Sequence, residues 1–139
     1  MVERWVRIGV LALLAVPQLV IGTWAVLAPE SWFDSFPGFD PRLVAADPPY
    51  NAHLATDAGA GFFATGLALA VAAIWGRRSG VIIGLVAYAG FSVPHVLFHA
   101  LNPAPGLTGR EDVTNVLVLV SGLAFAAVLA WGAFRTAER

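Results

Sequence analysis

Cysteine is absent from the chain, and with it go disulfides, thiolate-held metals, iron–sulfur clusters and CxxC redox chemistry. Lysine is absent as well, so all 8 cations are arginine. Charged residues make up only 12% of the sequence and the net charge is −1. No basic patch exists beyond short arginine pairs, which excludes nucleic acid as a partner. No glycine-rich nucleotide loop is found either: the glycines of Asp57–Gly66 follow neither a GxGxxG nor a Walker pattern. A Ser-His-Asp nucleophile elbow is also missing. The chemistry left to the chain is that of His, Asp, Glu and Tyr.

What is abundant is apolar surface. Of 139 residues 58% are hydrophobic, and the mean hydropathy is +0.75, far above an ordinary soluble domain. A membrane-spanning helix needs about 20 apolar residues. Trp5–Ala28, Ala52–Trp75, Gly80–Leu101 and Val113–Phe134 each meet that need. The first is too long, and too aromatic at its far end, for a cleaved signal peptide. The expectation is a single all-α domain, an integral membrane four-helix antiparallel bundle with membrane lipid as its surroundings.

Arginine placement predicts the orientation, because cytoplasmic loops retain positive charge. Arg4, Arg7, Arg77, Arg78, Arg135 and Arg139 fall on one side, Arg42 and Arg110 on the other. Both termini are therefore expected in the cytoplasm, the chain being a multi-pass protein of the cytoplasmic membrane. Trp5, Trp75 and Trp131 would mark the inner interface, and Trp24 and Trp32 the outer one. The connection Pro29–Asn51 is long and carries an aromatic segment, Ser31–Pro37. It reads as a lid or as a tether resting on headgroups.

Four ionisable side chains in apolar sequence are the candidate site. His53 and Asp57 begin the second span, and His95 and His99 end the third, so both pairs fall in the outer leaflet. Residues four apart share a helix face. Small and polar residues continue these faces through Gly61 and Thr65, and through Ser92, Tyr88 and Gly84. Both pairs are expected to face the bundle interior and each other. Three imidazoles and a carboxylate suit a transition metal such as Zn, Fe or Cu. Ser92, Tyr88 and Asn115 are candidates to support those ligands. A haem would need histidines on opposing helices, since two on one helix face cannot both be axial to one iron. A structural polar cluster that merely orders the bundle is the competing reading.

Pro94 removes a backbone donor inside the third span and predicts a bend before His95. Gln18, beside Pro17, reads as an interhelical hydrogen-bonding group. Asp112 reads as the N-cap of the fourth span. Gly122, Ala126 and Ala130 form a small-residue stripe open to two uses, packing within the chain or pairing as a homo-oligomer or with a membrane protein partner.

Three motifs carry a resemblance: Leu27-Ala-Pro-Glu-Ser-Trp-Phe33, Pro49-Tyr-Asn-Ala-His-Leu-Ala-Thr-Asp-Ala-Gly59 and Val93-Pro-His-Val-Leu-Phe-His99. With them the chain resembles small four-helix membrane proteins of actinobacteria in the broad DoxX-like group, which implies the same helical fold. By residue type His53, Asp57, Ser92, His95 and His99 are also similar to the ligand set of zinc-dependent membrane hydrolases of the ceramidase and adiponectin-receptor type. Those proteins have about seven spans, so that likeness implies convergent chemistry only, with Asp57 as base to a zinc-bound water acting on an amphiphile. Redox or metal handling, hydrolysis and a non-enzymatic accessory role are the functions carried forward.

Overall fold

The computed structural model describes residues 1–135, which are helical throughout their ordered elements and contain no strand. Arg139, one of the arginines counted for orientation, lies outside the described residues. Four helices are long and apolar enough to cross a membrane: α1 (Arg4–Leu27), α3 (Ala52–Trp75), α4 (Arg78–Leu101) and α5 (Gly109–Arg135). A short helix, α2 (Pro29–Ser35), opens the long connection. Helices of 24 residues reach about 36 Å, enough for a hydrocarbon core of about 30 Å.

Local chemistry sets the helix ends. Asn51 caps α3, its side chain accepting from the Leu54 amide at 3.1 Å. At the other end Gly76 closes α3 in the left-handed conformation, φ 67°. Helix α5 starts at Gly109 rather than Val113, because Thr108 and Glu111 form a capping box. The Thr108 amide and hydroxyl donate to Glu111 at 2.8 and 2.7 Å. Asp112 is therefore not the N-cap. It is buried, and accepts from the Ala104 amide at 3.3 Å. Helix α1 widens into a π-helical stretch over Val10–Ala15, just ahead of Pro17, whose missing donor leaves the Leu13 carbonyl without its usual partner. Helix α4 continues through Pro94 to Leu101.

Glycine governs the contact of α1 with α3. A side-chain carbon at Gly22 would run into the Phe63 backbone, and one at Gly59 would lie 2.9 Å from the Val26 amide nitrogen. The chain can come this close only because both positions lack a side chain. Contacts run in reversed order along the two helices: Arg7 beside Ala73, Leu19 beside Gly66, Gly22 beside Phe63. Arg7 also locks one end of the bundle. Its guanidinium donates to the carbonyls of Ala73 at 2.7 Å and Ile74 at 2.9 Å, satisfying the end of α3.

Burial is uneven along the bundle. In the half holding Arg4 and the end of α5, Val6, Val10, Leu14, Leu69, Val81 and Leu129 form a continuous apolar core. There Arg4–Ala15 touches α5. The remaining part of α1, Val16–Leu27, packs on α2 and α3 and makes no close approach to α5 among the described residues. The bundle thus opens toward its other end, where the long connection fills the gap. Trp32 is buried among Ala25 and Ala55, and the Gly106 amide donates to Ala46 at 2.9 Å, pinning the connection to the α4–α5 turn. The segment is folded down onto the bundle rather than trailing from it. Large apolar side chains such as Ile83, Val86 and Leu117 stay exposed around the outside, as lipid contact requires.

Candidate functional site

At the end covered by the long connection, the parted helices frame two adjoining, partly open cavities of about 570 and 350 Å³. They share Ile21, Phe36, Leu43, Asn115 and Leu119 as a common wall. The larger lies between α1, α5 and the connection, with Pro41 and Val118 among its apolar residues and Arg110 on its lining. The smaller reaches α3 and α4, where Trp32, Phe62, Phe91 and Phe98 surround His95, His99 and Asp47. Cavities of a few hundred Å³, mostly apolar with few polar groups, are the usual form of a small-molecule site.

His95 and His99 occupy one face of α4, as their spacing demands. Their ring centroids lie 4.7 Å apart, edge to face. His95 is stacked on Phe91 at 5.8 Å and meets Phe62 edge-on at 5.7 Å; His99 meets Phe98 at 5.6 Å. Aromatic contacts thus fix both rings, and neither imidazole hydrogen-bonds to protein among the described residues. Two oriented imidazoles with free nitrogens on an apolar cavity can donate to or accept from a ligand, move a proton, or supply two metal ligands.

His53 and Asp57 do not join them. They pair with each other, His53 Nε2 lying 3.3 Å from Asp57 Oδ2, with side chains 82% and 63% exposed. The expectation that the two pairs face one another is corrected by the packing of α3. Its buried stripe runs through Ala55, Gly59, Gly66 and Leu69. At about 100° per residue, Asp57 lies roughly 200° around the helix from Gly59. Glycines that seat α3 against α1 decide the rotation, and the polar pair is turned outward. Among the described residues no group of three His, Asp or Glu side chains is gathered for a metal. With His53 facing away from the cavity, a haem there would find no second axial histidine across it.

The supporting residues divide as well. Asn115 lies on the wall common to both cavities. Tyr88 and Ser92 are buried within hydrogen-bonding reach of each other, but the Tyr88 hydroxyl is aimed at Gly122 of α5 rather than at a cavity. Gly122 is thereby used inside the chain, and Ala126 is buried in the apolar core. The Gln18 carbonyl oxygen is buried without a hydrogen-bond partner among the described residues.

Sequence reasoning missed Asp47 and the aromatic lining. Phe91 precedes His95 by four residues, so helical spacing alone would have placed it beside that ring. Asp47 sits in an irregular connection and carries no such signal. Comparison of the chain with protein-family models, curated proteins and solved structures gives no match in any of the three.

Proposed function

We propose that this chain is a multi-pass protein of the cytoplasmic membrane that binds an amphiphilic small molecule in a cavity at the level of the outer leaflet. In this reading the four long helices form an antiparallel bundle with both termini inside, supported by the reversed order of contacts between α1 and α3 and by the arginine count. Membership of the DoxX-like group belongs to the same proposal and rests on the three motifs quoted above.

One observation carries the ligand reading: His95 and His99 present imidazoles without hydrogen-bond partners, among the described residues, to a cavity whose lining is otherwise mostly apolar, with Asp47 and Asn115 as its other polar groups. An unpartnered polar group facing an apolar space is costly unless something satisfies it. An apolar body carrying a hydroxyl, carbonyl or ester group would satisfy it, with the aromatic rings against the body and the imidazoles on the polar atom.

Metal binding is the second reading, favoured by the i,i+4 spacing of the imidazoles and by Asp47 on the same lining. His95 and His99 would hold a zinc, iron or copper ion, which would act as Lewis acid or redox centre. Asp57 has no part in this, because it faces away from the cavity; the hydrolase reading thereby loses its expected base.

The test is organic extraction with mass spectrometry, and elemental analysis with an optical spectrum, on purified protein. Wild type is compared with His95→Ala/His99→Ala and with His53→Ala/Asp57→Ala. A small amphiphile retained by wild type and by the second variant, and lost from the first, is the expected result. Stoichiometric metal with the same dependence would establish the second reading. Wild type free of both would leave an accessory role, with the histidines as packing groups.

A further inference from the structure

We infer that the cavity takes a single-chain amphiphile with an anionic head, and that the Arg110 guanidinium holds that head at the cavity mouth. The inference rests on the ligand reading above and narrows it to one chemical class.

Among the described residues two arginines, Arg42 and Arg110, stand at this end, and they are used differently. Arg42 is already engaged: its Nε donates to Asp40 at 3.0 Å and its Nη1 to the Asp34 carbonyl at 3.3 Å. The Arg110 side chain is exposed, lines the larger cavity, and has no hydrogen bond, ion pair or aromatic partner among the described residues. A planar guanidinium is the side chain best suited to grip a carboxylate or phosphate through two parallel hydrogen bonds.

The neighbouring carboxylate does not compete for it. Glu111 also lines this cavity, but its Oε2 is held by the Thr108 amide and hydroxyl at 2.8 and 2.7 Å. Thr114 is spent too, its hydroxyl donating to the Arg110 carbonyl at 2.8 Å. Glu111 keeps its charge, and the guanidinium is the cation at this rim without a hydrogen-bond or ion-pair partner among the described residues.

Behind Arg110 the lining turns apolar through Phe36, Pro41, Leu43, Val118 and Leu119, then continues past Asn115 to the chamber holding His95 and His99. Charge stands at the rim, apolar surface follows, and the imidazoles lie beyond. A chain with an anionic head, an apolar stretch and a second polar group farther along it has this order of parts, and the two probes below test the head contact alone. A volume of about 570 Å³ is that of a small-molecule site and suits one chain rather than a bilayer lipid with two. The gap between Val16–Leu27 and α5, which make no close approach among the described residues, supplies the space.

The experiment measures binding of oleate and oleyl alcohol, matched in chain and differing in charge, to the full chain in phosphatidylcholine nanodiscs at pH 8. Tryptophan fluorescence is the readout, since Trp32 lines the inner chamber. Oleate is expected to bind about 10-fold tighter than the alcohol, as one charge-assisted contact provides. Arg110→Gln should erase the difference, Arg110→Lys should keep much of it, and Arg42→Gln should leave it intact. Inorganic phosphate should not displace oleate; displacement would make this a site for free anions and overturn the inference. Equal affinities in wild type, or a preference that survives Arg110→Gln, would overturn it while leaving the ligand reading in place. If neither probe binds, the inference falls, and the ligand reading is then decided by the extraction experiment above.

Discussion

The Tyr88 hydroxyl fills the space that a side chain at Gly122 would need. Tyr88 is buried on α4, and its contact with α5 closes the bundle just inward of the cavities. The match is one of shape: a phenol long enough to cross the gap meets the one residue type short enough to receive it. Gly122→Ala should therefore displace the phenol and cost about 1–3 kcal/mol, the range for overpacking. Tyr88→Phe removes the obstructing oxygen, so Tyr88→Phe/Gly122→Ala should be more stable than Gly122→Ala alone. Thermal unfolding in detergent of the four proteins of this cycle measures the coupling. Strict additivity would show that the two residues do not meet.

The α1–α3 contact is less forgiving. A methyl group at Gly122 meets the end of a side chain, but one at Gly22 meets the backbone of Phe63 and Gly59. Side chains can rotate away, whereas packed backbones must separate along several turns. Gly22→Ala is expected to cost about 3 kcal/mol, toward the upper end for overpacking and more than Gly122→Ala. The same unfolding assay ranks them, and the reverse order would contradict the close helix approach.

Arg7 makes a different kind of closure. It reaches from α1 to the last carbonyls of α3, and the Val2 amide donates to Gly76 at 2.9 Å beside it. Charged donors to otherwise unsatisfied carbonyls are worth about 1.5–3 kcal/mol. Arg7→Ala should destabilise the protein by about 2 kcal/mol. Arg7→Lys should recover only part, because an ammonium lacks the fork that spans both carbonyls. Hydrogen exchange at the end of α3 reports the loss locally: protection should fall there first, and unchanged protection would assign Arg7 no capping role.

These contacts explain what could be read in the residues and what could not. The apolar spans were legible because length and hydropathy are local properties, and Ala52–Trp75 is found with the expected bounds. The capping box at Thr108 and Glu111 was also written in the sequence, yet Asp112 drew attention from it by lying closer to the apolar run. The rotation of α3 was harder to see. Two stripes compete on that helix, the polar one of His53 and Asp57 and the small one of Ala55, Gly59 and Gly66. Polarity pointed one way and closeness of packing the other. Packing prevailed because Gly59 and Gly66 both meet α1, while the polar pair satisfies itself and needs no partner inside. The cavity itself depends on where α1 parts from α5, a relation between distant segments that no local pattern encodes.

The split between the histidines gives the last prediction. His53 stands 82% exposed on the outside of α3. His95 and His99 sit on the cavity beneath the connection that Trp32 anchors. Diethyl pyrocarbonate in detergent should modify His53 first, and the other two about 10-fold more slowly, since their rings are half-buried among Phe91, Phe62 and Phe98 and the connection narrows the approach. Trp32→Ala removes the buried anchor of the connection, so it should speed modification of His95 and His99 and leave His53 unchanged. Peptide mass spectrometry over a time course resolves the three sites. Equal rates at all three in wild type would mean that the connection does not cover the cavity, and acceleration at His53 as well would mean that Trp32 supports the whole bundle rather than its cover.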